Sequence, residues 1–127
     1  MPKEIHRLSK AITSLPVGLV LTEVAITRLP TPIGKQVAVI DLTFNNVFAV
    51  KGGRLLNGQN GLFLRPADRQ VAAGVYEPFW LIINRPAAFE IQHSVLCCYL
   101  GTAEATLDAP MTTPDFNIDG WNPAEEI

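Results

Sequence analysis

The chain has 127 residues, of which 48% are hydrophobic, and a net charge of −2. That length supports one ordinary core rather than two, so a single domain with terminal extensions is expected. No apolar run approaches the roughly 18 residues of a membrane span. The only cysteines, Cys97 and Cys98, are adjacent and do not make an ordinary structural disulfide, so the sequence gives no sign of an oxidised secreted scaffold and the cytoplasm is the expected compartment. The net charge conceals an asymmetry. Residues 1–100 carry ten Lys/Arg against six Asp/Glu, a net of +4, whereas residues 101–127 carry six acids and no base, a net of −6. A mildly basic body permits a nucleic-acid partner without the concentrated Lys/Arg stripe of a dedicated binder.

In chain order, Lys3, Arg7 and Lys10 ahead of Val17–Leu21 imitate a signal peptide. The apolar stretch is too short for one, follows Pro16 and contains Gly18. Ile5, Leu8, Ile12 and Leu15 recur at spacings of three or four and predict a short amphipathic helix in an N-terminal extension over 1–20. From Leu21 to Arg28 the period is two and β-branched residues predict a strand, followed by a Pro/Gly turn over Leu29–Gly34. Lys35–Phe44 places Ala38, Ile40, Leu42 and Phe44 on one face of a second strand. Asn45-Asn46 tolerates the positive φ of a tight hairpin turn, and Val47–Val50 resumes the strand pattern. Gly52-Gly53 predicts a bulge or bend before Arg54-Leu55-Leu56.

The Asn57–Gly61 stretch predicts a turn into a strand at Leu62–Leu64, and Arg65–Pro78 a long exposed loop. Phe79–Ile83 is a continuous apolar run suited to an inner or edge strand. Asn84-Arg85-Pro86 then opens a helix that ends at Gly101, with Ala88, Ile91, Val95 and Tyr99 as its apolar stripe and Phe89, Leu96 and Leu100 beside it. An acidic, proline-containing tail over 101–127 is expected to be flexible, with Phe116, Ile118 and Trp121 as candidate anchors. Four or five strands followed by a helix define an α+β domain over 21–100, an antiparallel-rich sheet with the helix on one face.

Lys51, Arg54, Arg65, Arg69 and Arg85 are the candidate phosphate contacts, against the plainer reading that they are solubilising surface charges. Phe79 and Trp80 could stack on unpaired bases, although a core or dimer-interface role is commoner at the head of an apolar run. The glycines at 57–61 lack the Lys-Ser/Thr ending of a phosphate loop. His6 and His93 lack neighbours at metal-ligand spacing, so no metal is expected. Cys97-Cys98 reads as a small core pair before it reads as a redox sensor. No catalytic constellation is visible, so enzymatic activity is not expected.

The segment Asn57-Gly58-Gln59-Asn60-Gly61-Leu62-Phe63 resembles the signature turn and strand of the SpoVG (stage V sporulation protein G, septation protein) family. The hairpin Ile40–Leu56, with Phe48, Val50 and Arg54, is similar to the family's hairpin. Gly74, Asn84, Ile91, Gln92, Val95, Leu96 and Tyr99 follow at the family's spacing, so the resemblance covers Leu21 to Leu100. It implies a non-enzymatic homodimer built through the sheet, with no cofactor and no small-molecule substrate, that binds DNA or RNA in the control of septation and sporulation genes. It also implies a recognition surface of basic residues in the long loop and at the helix start.

Carried over, Arg69 sits at a basic loop position. Ala88 and Glu90 stand where basic side chains are expected, Phe89 replaces a small residue, and Glu90 would repel a phosphate backbone. A protein-interaction or structural module on the same fold, its nucleic-acid surface degraded, is the alternative. An enzyme with a pocket under the long loop is a third reading. The −6 tail beside the +4 body further suggests that the tail competes with nucleic acid for the basic face.

Overall fold

In a computed structural model that describes residues 2–13, 18–59 and 61–101, the period-two segments form one antiparallel sheet in chain order. Its strands are β1 (Glu4–Ala11), β2 (Val20–Ile33), β3 (Gln36–Phe44), β4 (Phe48–Gly58) and β5 (Gly61–Arg65). A separate hairpin follows, β6 (Asp68–Ala72) with β7 (Val75–Pro78), and then the helix α1 (Arg85–Leu100). The α+β class and the sheet-plus-helix layering match the expectation. The small second sheet is an addition to it.

The core lies between the helix and one face of the sheet. Val24 pairs with Leu42, Ile26 with Ile40, and Ala38 with Leu55, which in turn pairs with Leu64. All of these side chains are fully buried. From the helix, Ala87, Ala88, Ile91, Val95 and Leu96 complete the cluster, whereas Phe89 and Leu100 stay exposed. Asn84 caps the helix start by accepting a hydrogen bond from the Ala87 N–H at 2.9 Å, with Pro86 just inside. Gly101, at φ 71°, ends it in the left-handed conformation that glycine adopts without penalty.

The sheet is curled, and the helix is fastened on both sides of it. On the β5 side, the buried Gln92 accepts the Leu64 N–H at 3.0 Å. On the β1 side, Glu90 accepts from the Thr13 N–H at 3.0 Å and the Thr13 hydroxyl at 2.9 Å. Arg28 fastens the other end of the same seam by donating to Glu4 and to the Tyr99 carbonyl, with its guanidinium 4.4 Å from the Tyr99 ring centre. The Arg28 hydrogen bond is the main cause that holds the Glu4 carboxyl below its ordinary range.

Four local expectations need correction. The N-terminal amphipathic helix is instead β1, paired from Glu4↔Ile26 to Ala11↔Val20; Leu15 lies outside the described residues. The spacing of four between Leu8 and Ile12 is even, so it puts both side chains on one face of a strand as well as of a helix, and the open edge of β2 decides the matter. The loop expected at Arg65–Pro78 contains the β6–β7 hairpin, which turns at Gly74 with φ 71°. Residues 69–77 are exposed throughout, so they carry no burial alternation to read. Phe79–Ile83 is not a strand: Trp80 and Ile82 pack on the core while Phe79 and Ile83 remain exposed. The turn expected at Leu29–Gly34 contracts to Gly34-Lys35, with Pro30 and Pro32 falling in the irregular stretch between the Arg28↔Ala38 and Ile33↔Gln36 pairs.

The Asn45-Asn46 turn forms as expected, with φ of 56° and 53° and a Val47 N–H to Phe44 carbonyl bond of 2.9 Å. Gly52-Gly53 forms a bulge: pairing passes from Leu42↔Val50 to Ile40↔Gly53, leaving an extra residue on β4. Gly52, at φ 77°, donates its N–H to Asp41 at 2.9 Å. The acidic segment after Gly101 lies outside the described residues. Among those described, no helix is long and apolar enough to cross a membrane, and no group of three or more His, Cys, Asp or Glu could hold a metal.

At Gly53 the Trp80 ring comes close to the β4 backbone. A Cβ there would stand 3.0 Å from the Ile40 carbonyl and 3.3 Å from the Trp80 ring. Gly53→Ala is therefore expected to lower stability by about 1–3 kcal/mol, as overpacking does. Urea unfolding measures this, and an unchanged midpoint would show that the layers are not in tight contact.

Candidate nucleic-acid interface

The five candidate cations divide into two groups. Lys51, Arg69 and Arg85 are exposed. Lys51 sits at the β4 bulge with its carbonyl held by the Trp80 indole N–H at 3.0 Å. Arg69 lies on β6 with 60% of its side chain exposed, 3.8 Å from Glu77 on β7. Arg85 opens the helix. The base of the hairpin is tied down by a 2.7 Å bond from the Phe79 N–H to the Ala67 carbonyl. A Cβ at Gly52 would come within 3.3 Å of Ala67. The bulge, the hairpin base and Trp80 therefore pack together beside β4.

Arg54 and Arg65 form the second group. They pair directly across β4 and β5, on the face opposite Leu55 and Leu64. Arg65 is completely buried, contrary to its expected place in an exposed loop, because it is the last residue of β5 and not part of a loop. Arg54 forms an ion pair with Asp68 at 3.0 Å, the two side chains being 20% and 11% exposed. Neither arginine is displayed as a free phosphate contact would be.

The helix start differs similarly from the implied pattern. Ala88 is 1% exposed and belongs to the core. Glu90 is committed to Thr13. Of the two candidate aromatics, Trp80 packs partly on the core, whereas Phe79 is 64% exposed. Tyr76, on the hairpin, is also exposed, though it was not singled out in the sequence. Cys97 is buried and Cys98 half-buried; burial first, and then Cys97, push the Cys98 thiol up to about 11. It stays protonated at neutral pH, which is the opposite of what a redox sensor needs.

Asp68, Glu77 and Glu90 are the structural partners that periodicity could not reveal, because ion pairing across elements leaves no repeating mark in the chain. Replacing Asp68 by Asn leaves the closely packed Arg54 and Arg65 without that carboxylate charge, and an expected loss of about 3 kcal/mol follows from breaking a largely buried pair. Arg69→Ala, at the exposed Glu77 pair, should change stability by no more than about 0.5 kcal/mol. Equal effects of the two substitutions in urea unfolding would contradict this division.

No family profile matches the chain. Curated proteins described as septation protein SpoVG do. The one from Clostridium acetobutylicum is 33% identical over 79 residues, covering 62% of this chain and 82% of its own. That of Clostridium botulinum strain Alaska E43 is 30% identical over 84 residues, covering 66% and 91%. That of Clostridium novyi is 32% identical over 76 residues, covering 60% and 75%. Relatives matched over most of their own length, together with the strand and helix order above, establish that this chain belongs to the SpoVG family.

Proposed function

We propose that the protein is a non-enzymatic, homodimeric regulator that binds DNA or RNA through the face carrying the bulge, the β6–β7 hairpin and the helix start. The observation that carries this reading is the combination of exposed Lys51, Arg69 and Arg85 with exposed Tyr76 and Phe79 on adjoining segments. Cations of this kind contact a phosphate backbone, and aromatic faces accept unpaired bases without sequence preference. Single-stranded nucleic acid suits that mixture better than a duplex. The relatives' description as septation proteins accords with a regulatory role.

A second reading has its own observation. Val71, Val75, Tyr76 and Phe79 leave an apolar surface on one small hairpin, while Arg54, Arg65 and Glu90 are engaged within the fold. Such a surface suits a protein partner or a second copy of the chain.

Filter binding of random single-stranded DNA and RNA over a salt series separates the two. For the nucleic-acid reading, log K should fall steeply with log[salt]. The triple variant Lys51→Glu/Arg69→Glu/Arg85→Glu should flatten that slope by about 4 if six phosphate contacts per dimer are lost, at roughly 0.7 each. No binding by the parent protein even in dilute buffer would favour the interaction module. Removing residues 102–127 should raise affinity at low salt if the acidic segment competes for the same face.

A further inference from the structure

The curled sheet closes tightly onto the helix at β5 but less completely at β1. Between β1 and the C-terminal half of α1 lies a cavity of about 350 Å³, lined by His6, Leu8, Lys10, Ser94, Cys97, Cys98 and Gly101. Its volume is at the lower end of what accommodates a small molecule or one or two large side chains. Glu90 with Thr13 fastens one end of the seam and Arg28 with Glu4 and Tyr99 the other. The cavity is therefore a bounded gap along the seam.

We propose that this gap is the docking site of the chain's own C-terminal segment, occupied by the apolar side chains of the Asp115–Trp121 stretch. Three observations single out this occupant. Gly101, the last described residue, itself lines the cavity, so the following 26 residues leave from its rim. Within them, Phe116, Ile118 and Trp121 bring three large apolar side chains into six positions, matched to a lining of Leu8, Cys97 and Cys98. Asp115 and Asp119 flank those side chains in sequence, and the segment's net charge of −6 is complementary to Lys10 in the lining and to a body at +4.

Reach is not limiting. The 14 residues between Gly101 and Phe116 can span up to about 50 Å when extended, and tethering to the rim supplies an effective concentration in the millimolar range. Even weak intrinsic contacts are then sufficient for occupancy. The docked segment would cover the β1–α1 seam.

Cys98 reports on occupancy because it lines the cavity and is only half-buried by the described residues. The test is alkylation by N-ethylmaleimide at fixed pH, read at Cys98 by peptide mapping. The full chain is compared with the full-length Phe116→Ser/Ile118→Ser/Trp121→Ser variant. Docking predicts roughly tenfold faster modification in the variant, the change expected when a tethered segment bound about ten times below its effective concentration is released. A synthetic peptide of residues 113–127 added to the variant should restore protection, and a scrambled peptide should not. Equal rates in the two full-length proteins overturn the proposal. Protection of the parent that weakens on dilution also overturns it, by assigning the gap to the tail of a second copy.

Discussion

A single helix of 16 residues has to serve a sheet of five strands. Laid flat, such a sheet is about 19 Å wide at the usual strand spacing, wider than the roughly 10–12 Å diameter of a helix with its side chains. Curling resolves the mismatch: β5 meets α1 directly, and the β1 side is linked to it through Thr13 and Arg28. The helix is buried over an unusually broad arc as a result, with Ala87, Ala88, Ile91, Gln92, Ser94, Val95, Leu96 and Cys97 all inside. The polar members of that arc secure the arrangement. Gln92 meets the backbone of β5, and the partly buried Glu90 holds the chain just past β1. Because the Leu64 N–H is taken by Gln92, β5 does not offer that donor to another strand, a common protection for sheet edges.

The β4 side of the sheet is governed by a different device, the bulge at Lys51-Gly52 opposite Asp41. Gly53 has no side chain to hold off the second layer, so Trp80 can lie against β4 and donate to the Lys51 carbonyl. Arg65 is withdrawn from solvent at the end of β5, and the turn into β6 brings Asp68 to Arg54. The same device that pins the layer leaves Lys51 exposed at its edge. Structural and candidate recognition cations are thus separated by where the second layer falls, even though all five are the same kind of residue.

This separation changes the meaning of the departures from the family's basic pattern. Glu90 looks in the chain like a charge that opposes nucleic acid, yet it serves as the clasp between helix and β1. Ala88 looks like a lost cation but fills the core. The exposed cations Lys51 and Arg69 and the exposed Tyr76 and Phe79 lie instead on the bulge, the hairpin and the segment after it. The hairpin's exposed Val71 and Val75 make it equally a place where protein surface could meet protein surface.

Much of the architecture is legible before any coordinates. Ala38, Ile40, Leu42 and Phe44 face one way because a strand's side chains alternate, and Asn45-Asn46 must turn because few other residues accept positive φ at two successive positions. The start at Asn84 and the stop at Gly101 likewise follow from capping chemistry local to each residue. Three features were beyond such reading because they depend on elements distant in the chain. Leu8 and Ile12 suit a helix or a strand equally until the edge of β2 selects the strand. Residues 69–77 show no burial pattern because both faces of their hairpin meet solvent. Arg65 is a surface charge by composition and an interior one in fact. Local propensity and periodicity act over a few residues and so leave their mark in sequence, whereas burial and charge pairing are settled only when the second layer closes over the sheet.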